Sequence, residues 1–165
     1  MKTLLLVRHA KSSWKDQALA DCDRPLNNRG MRDAPRMGKR LANRQVQPDL
    51  VVSSPAVRAM STAKAIATEI GYPATKIAVE ECIYHGGIAG LLRAIHELDD
   101  AANCAMLFGH NPELTSLVNQ LAHCSIDNVP TCGVAEIKFT ATSWREIGEV
   151  GGQLVDFDYP KKIDD

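Results

Sequence analysis

The chain has 165 residues and a mass of 18.0 kDa, with 45% hydrophobic and 24% charged residues, enough for one domain that buries roughly 70% of its unfolded surface around a single core. A net charge of −1 excludes the strong basic bias of a nucleic-acid or anionic-membrane binder, and no apolar stretch is long enough to span a bilayer. In chain order, Thr3-Leu4-Leu5-Leu6-Val7 reads as a strand buried on both faces, and it delivers Arg8-His9-Ala10 to its carboxyl end, where open α/β sheets place their ligands. Met31, Ala34, Met37, Gly38 and Leu41 then give the inner face of a helix. Its outer face carries Arg29, Arg32, Arg36, Lys39, Arg40 and Arg44 as solvated charge, with docking of an acidic partner as the alternative. Pro35 makes this helix start near Arg32 or bend there. Val51 and Val52 end a second apolar strand, after which Ser54 suits an N-cap and Pro55 a first helical position. The helix runs on through Val57, Met60, Ala63, Ile66 and Ile70, with Arg58 in its opening turns. A further helix carries Ile88, Leu91, Leu92, Ile95 and Leu98, which makes His96 exposed or capping.

Ala105 to Pro112 repeats the pattern of the first strand: an apolar strand, Gly109 for a tight turn, His110, an Asn111 cap and Pro112 at the first helical position. Leu114, Leu117, Val118 and Leu121 line one face of the helix that follows, and His123 behind it reads as structural. Gly133 to Thr140, Trp144 to Val150 and Gln153 to Asp158 read as strands forming an antiparallel edge. Residues 1–160 are expected to form one domain and 161–165 a flexible tail. The five cysteines, at 22, 82, 104, 124 and 132, contain no C-x-x-C pair and are odd in number, a pattern of reduced thiols rather than of a disulfide framework. With too few residues ahead of Arg8 for a signal peptide, the expected location is cytoplasmic.

Three strand ends thus bring Arg8, His9, Arg58 and His110 within reach of one anion-sized space. Phosphoryl transfer uses such a set: guanidinium forks match phosphoryl oxygens, and a neutral imidazole can attack phosphorus and hold it covalently. No acidic cluster suggests magnesium and no Cys/His spacing suggests zinc, so no metal and no cofactor is expected. The phosphate-loop, dinucleotide and nucleophile-elbow motifs are also missing.

Leu6-Val7-Arg8-His9-Ala10-Lys11-Ser12, then Ser53-Ser54-Pro55 with Arg58-Ala59 and Thr62-Ala63, then Gly109-His110-Asn111, in this order, resemble the histidine phosphatase superfamily, also called phosphoglycerate mutase-like. Asp21 to Asn27 with Arg29-Gly30, in so short a chain, is similar to its SixA branch of phosphohistidine phosphatases. The resemblance extends from Lys2 to about Phe139. It implies a three-layer α/β/α sandwich with a mainly parallel sheet and an antiparallel edge. It also implies that His9 is the nucleophile that becomes phosphorylated, with Arg8, Arg58 and His110 binding and stabilising the phosphoryl group. Lys11 and Arg24 are further candidates for lining that pocket.

Two positions depart from the family pattern. Ala10 stands where Gly is commonest, so its methyl must point away from the phosphate. Many relatives place a carboxylic acid in the segment Val79 to Gly87 as proton donor to the leaving alcohol. Here the spacing puts His85 at that position, or Glu81 if the register differs by a turn. A missing acid hinders cleavage of an alkyl ester but matters less for phosphohistidine, whose imidazole leaves protonated or nearly so. The expected substrate is therefore phosphohistidine on a protein, such as a histidine phosphotransfer domain. The alternatives are a small phosphate ester or, less favoured, a non-catalytic phosphate-binding module.

Overall fold

A computed structural model describes residues 1–162. Strand β1 (Lys2–Arg8) alternates along its length. Leu4 and Leu6 enter one apolar cluster and Leu5 and Val7 another, because successive strand side chains point to opposite faces. The same alternation in β4 (Cys104–Gly109) sends Ala105 and Leu107 one way and Met106 and Phe108 the other. All eight of these side chains are fully buried, each full-sized one contributing about 1.5–3 kcal/mol of transfer free energy.

With β2 (Leu50–Ser53), β3 (Ala78–Val79), β5 (Val134–Phe139) and β6 (Gly152–Asp158), these strands form one six-stranded sheet of order β3-β2-β4-β1-β5-β6. The first four in that order are parallel, while β5 runs antiparallel to β1 and β6 antiparallel to β5. Helices α1 (Asn28–Asn43) and α2 (Val57–Ile70) cover one face through Met37, Leu41, Ala63 and Ile66. Helices α3 (Cys82–His85), α4 (Gly87–His96) and α5 (Glu113–Ala122) cover the other through Ile83, Leu91, Ile95, Leu114, Leu117 and Val118. The three-layer arrangement and the antiparallel edge are those expected.

Several local readings need correction. Helix α1 starts at Asn28, ahead of Pro35, because the Asn27 side chain accepts from the Gly30 N–H at 2.8 Å and fixes the first turn. Met31, expected inside, is 57% exposed, and Asp33 takes a buried position instead, ion-paired with Arg29 and Arg32. Of the outer-face cations, Arg40 and Arg44 bind the antiparallel edge: Arg40 pairs with Asp158 of β6, and Arg44 with Glu136 of β5 and Asp156 of β6. Helix α2 begins two residues beyond Pro55, since the Ser54 hydroxyl caps only the Ala56 N–H. Gly109 lies within the strand and not at a positive φ, so it makes no tight turn. Helix α5 begins at Glu113 after a cis Asn111–Pro112 bond. The segment expected as a strand from Trp144 to Val150 opens instead as a 3₁₀ turn at Trp144–Glu146. The fully buried Trp144 anchors it by donating its indole N–H to the Ala102 carbonyl, and Gly148 then turns at φ 102°. At the C-terminus the Lys162 N–H closes a turn onto Tyr159, and 163–165 lie outside the described residues.

Candidate active site

The register of β1 against β4 pairs Arg8 with Gly109, so the next residues, His9 and His110, leave neighbouring strands side by side. The His9 N–H donates to the Gly109 carbonyl at 3.1 Å, and the two imidazole centroids stand 5.1 Å apart. On the other side of β4, Ser53 is level with Phe108 and the Ser54 N–H donates to the Phe108 carbonyl. The chain then enters α2, whose first turn carries Arg58. Adjacency of β1, β4 and β2 is therefore what gathers segments some fifty residues apart in sequence.

Arg8, His9, Arg58 and His110 line one cavity of about 210 Å³, together with Lys11, Ser12, Trp14, Arg24, Asn111 and Thr131. Of the residues singled out from sequence, six are thus brought together. His85 does not line the cavity: it is exposed, with its ring edge 4.4 Å by centroid from Tyr84. Glu81 is also exposed, just ahead of α3. Ala10 turns its methyl away as required, fully buried in the cluster beneath β1 with its N–H held by the Thr62 hydroxyl at 2.9 Å. Thr62 in turn donates to the Arg58 carbonyl, tying the strand end to α2.

The protonation states follow from these contacts. His9 Nδ1 lies 2.7 Å from the Ala10 carbonyl, which can only accept, so Nδ1 carries the hydrogen and Nε2 keeps its lone pair. Burial, reinforced by the charges of Arg58 and Arg8, lowers His9 to about 3; burial and then Arg58 lower His110 to about 4. Both rings are neutral near neutral pH. His110 Nε2 meets the Ser54 hydroxyl at 2.8 Å, and the Arg8 guanidinium is braced by the Val129 carbonyl at 3.0 Å. Arg8 Nε, Arg58 Nε and His110 Nδ1 are buried without a partner among the described residues.

Sequence reasoning missed Asp21 and Tyr84. Asp21 lies inside the loop closed by pairing of Ser12 with Leu26, where it sits in a short 3₁₀ turn. It accepts from Arg24 Nε at 3.2 Å and from Arg58 Nη2 at 3.0 Å through its carboxylate, and from Arg58 Nη1 at 2.7 Å through its carbonyl. Tyr84, whose ring packs 5.5 Å from His110, donates its hydroxyl to the same carboxylate. That hydroxyl, followed by Arg58, holds Asp21 well below the usual carboxylate range. The signal for Asp21 in the sequence was the SixA-like segment from Asp21 to Asn27, in which the residue carried no assigned role. Arg24 is buried, donates to Ser12 Oγ at 2.8 Å and lies over the exposed Trp14 ring at 3.5 Å. Among the described residues, no group of three or more His, Cys, Asp or Glu gathers as a metal site would, and no helix is long and apolar enough to cross a membrane.

Comparison with known proteins agrees with this geometry. A model of the histidine phosphatase superfamily (branch 1) matches residues 4–84. An uncharacterized chloroplastic protein of Arabidopsis thaliana is 30% identical over 160 residues, 92% of this chain and 72% of its own. A structure from Agrobacterium tumefaciens, assigned as phosphohistidine phosphatase SixA, superposes with a TM-score of 0.81 at 27% identity, over 96% of this chain and 98% of that one. The protein histidine phosphatase SixA in complex with tungstate shares the fold with a TM-score of 0.79 at 19% identity, over 96% and 97% of the two chains. The likeness spans the antiparallel edge as well as the matched N-terminal half, and the chain belongs to the histidine phosphatase superfamily.

Proposed function

We propose that this chain hydrolyses phosphohistidine carried on another protein, through a phosphorylated His9. Phosphatase activity follows from the family; the substrate is our reading. The observation that carries it is the lining of the cavity, which holds four cationic or imidazole groups of the motif set and, among the described residues, no carboxylic acid. The nearest acid, Asp21, is tied to two arginines in its ionised form and has no proton to give. Tyr84 spends its hydroxyl proton on Asp21, which raises its own pKa and makes it a poor donor. An alkoxide leaves badly from such a site, whereas an imidazole does not need a strong acid.

In the proposed sequence, the Nε2 lone pair of His9 attacks phosphorus while Nδ1–H stays on the Ala10 carbonyl. The P–N bond to the substrate imidazole breaks, its electron pair returns to that nitrogen, and a proton from water completes the leaving group. Arg8, Arg58 and His110 hold the equatorial oxygens, which would satisfy the three orphaned nitrogens. Water then attacks phosphorus, releases phosphate and restores neutral His9. Capture of tungstate, a tetrahedral oxyanion, by a protein of this fold supports an oxyanion in this cavity.

The test is phosphate release, without added metal, from a phosphohistidine-bearing protein domain and from a panel of alkyl phosphate esters in parallel. Strong preference for the phosphoprotein supports the reading. Efficient turnover of small esters, with none of the phosphoprotein, overturns it and leaves the small-molecule phosphatase.

A further inference from the structure

Asp21 is engaged by Arg24, Arg58 and Tyr84, yet its side chain remains 50% exposed. The exposed part borders a second cleft of about 300 Å³, which it lines with Trp14, Asp16, Gln17, Leu19 and Arg24. Trp14 and Arg24 also line the phosphoryl cavity, so the two spaces adjoin at that stacked pair. The carboxylate thus stands in the cleft next to the phosphoryl cavity, joined to it through Arg24 and Arg58. Resting on the phosphatase reading of the cavity, we propose that Asp21 selects substrates by the charge of the leaving group, favouring a phosphoryl carried on a neutral or cationic nitrogen and rejecting one with a second anion beside it.

The chemistry follows from where charge moves. A phosphoimidazole protonated on its distal nitrogen is a cation within the field of Asp21, and when the P–N bond breaks its electron pair goes to nitrogen and neutral imidazole departs. A substrate with a carboxylate or second phosphate next to the scissile bond brings two like charges together instead. At a separation of about 6–8 Å on a partly wet rim, that repulsion corresponds to roughly a tenfold difference in rate. The donors on Asp21 keep the charge in place, since all three stabilise the ionised form.

The experiment compares kcat/KM for phosphoimidazole and for phosphoimidazole with a 4-acetate arm, which share the scissile bond and differ by one carboxylate. Wild type is expected to prefer the first about tenfold, and Asp21→Asn to bring the ratio to within about twofold. A ratio unchanged in Asp21→Asn overturns the proposal. If the variant, or wild type itself, turns over neither substrate, the ratio is read from binding of methylphosphonate against phosphonoacetate, with the same expectation. Absence of wild-type turnover counts against the phosphatase reading, whereas an unaltered binding ratio counts against the role of Asp21.

Discussion

His9 and His110 are held neutral by burial among cations, and this ties stability to pH as well as suiting His9 to the nucleophilic role proposed for it. Each ring takes a proton near 6.5 in the unfolded chain but only near 3 and 4, respectively, in the fold. Between those values the unfolded chain binds more protons, so stability present above pH 6.5 is lost as pH falls toward about 4. Denaturant midpoints measured from pH 7.5 to 4 should decline for wild type, and His9→Ala and His110→Ala should each flatten the slope. Thr62 is a second single-residue test. Its hydroxyl accepts from the Ala10 N–H and donates to the Arg58 carbonyl, so Thr62→Val leaves a buried N–H unpaired. A loss of about 1–3 kcal/mol is expected in denaturant unfolding, with reduced turnover because the strand end carrying His9 loosens. The four motif residues were legible in sequence because each follows an apolar strand or opens a helix. Asp21 was not, because its role depends on Arg58 and Tyr84, which a surface loop meets only after folding.

At the scale of elements, α1 shows how local preference and packing compete. Glycine inside a helix costs about 1 kcal/mol relative to alanine, so propensity alone makes Gly30→Ala stabilising. The structure reverses that sign: a Cβ at Gly30 would lie 2.2 Å from the Lys11 carbonyl oxygen, a backbone atom that also receives the Asn27 N–H. Gly30→Ala is expected to lower the thermal midpoint and, by displacing the chain next to His9, to reduce turnover; an increase in midpoint would show that the contact yields. The helices and strands with long apolar periodicity were readable for the reason that their buried faces are long. Misreadings fell where tertiary contacts decide, as at Met31, which the period places inside although Asp33 takes the buried position, and at Trp144, whose β-like composition yields to one indole hydrogen bond. The four residues of α3 carry too little periodicity to be seen, yet they position Tyr84.

The whole molecule explains why one short chain can hold such a site. A sheet order that sets β4 between β1 and β2 makes three strand ends neighbours, and the two apolar clusters hold that order from both faces. Sequence reading supplied the strand ends but not their adjacency, since pairing partners more than fifty residues apart leave no local trace. On the proposed function, the assembled ends form a nucleophile rather than a binding cup. The most direct measurement is a rapid acid-sparing quench of wild type with a phosphohistidine substrate, followed by mass spectrometry of the peptide that carries His9. The account predicts a transient phosphoryl adduct on His9 that forms and decays at rates compatible with turnover, and is lost with turnover in His9→Ala. Turnover that persists in His9→Ala, or an adduct on another residue, would contradict it.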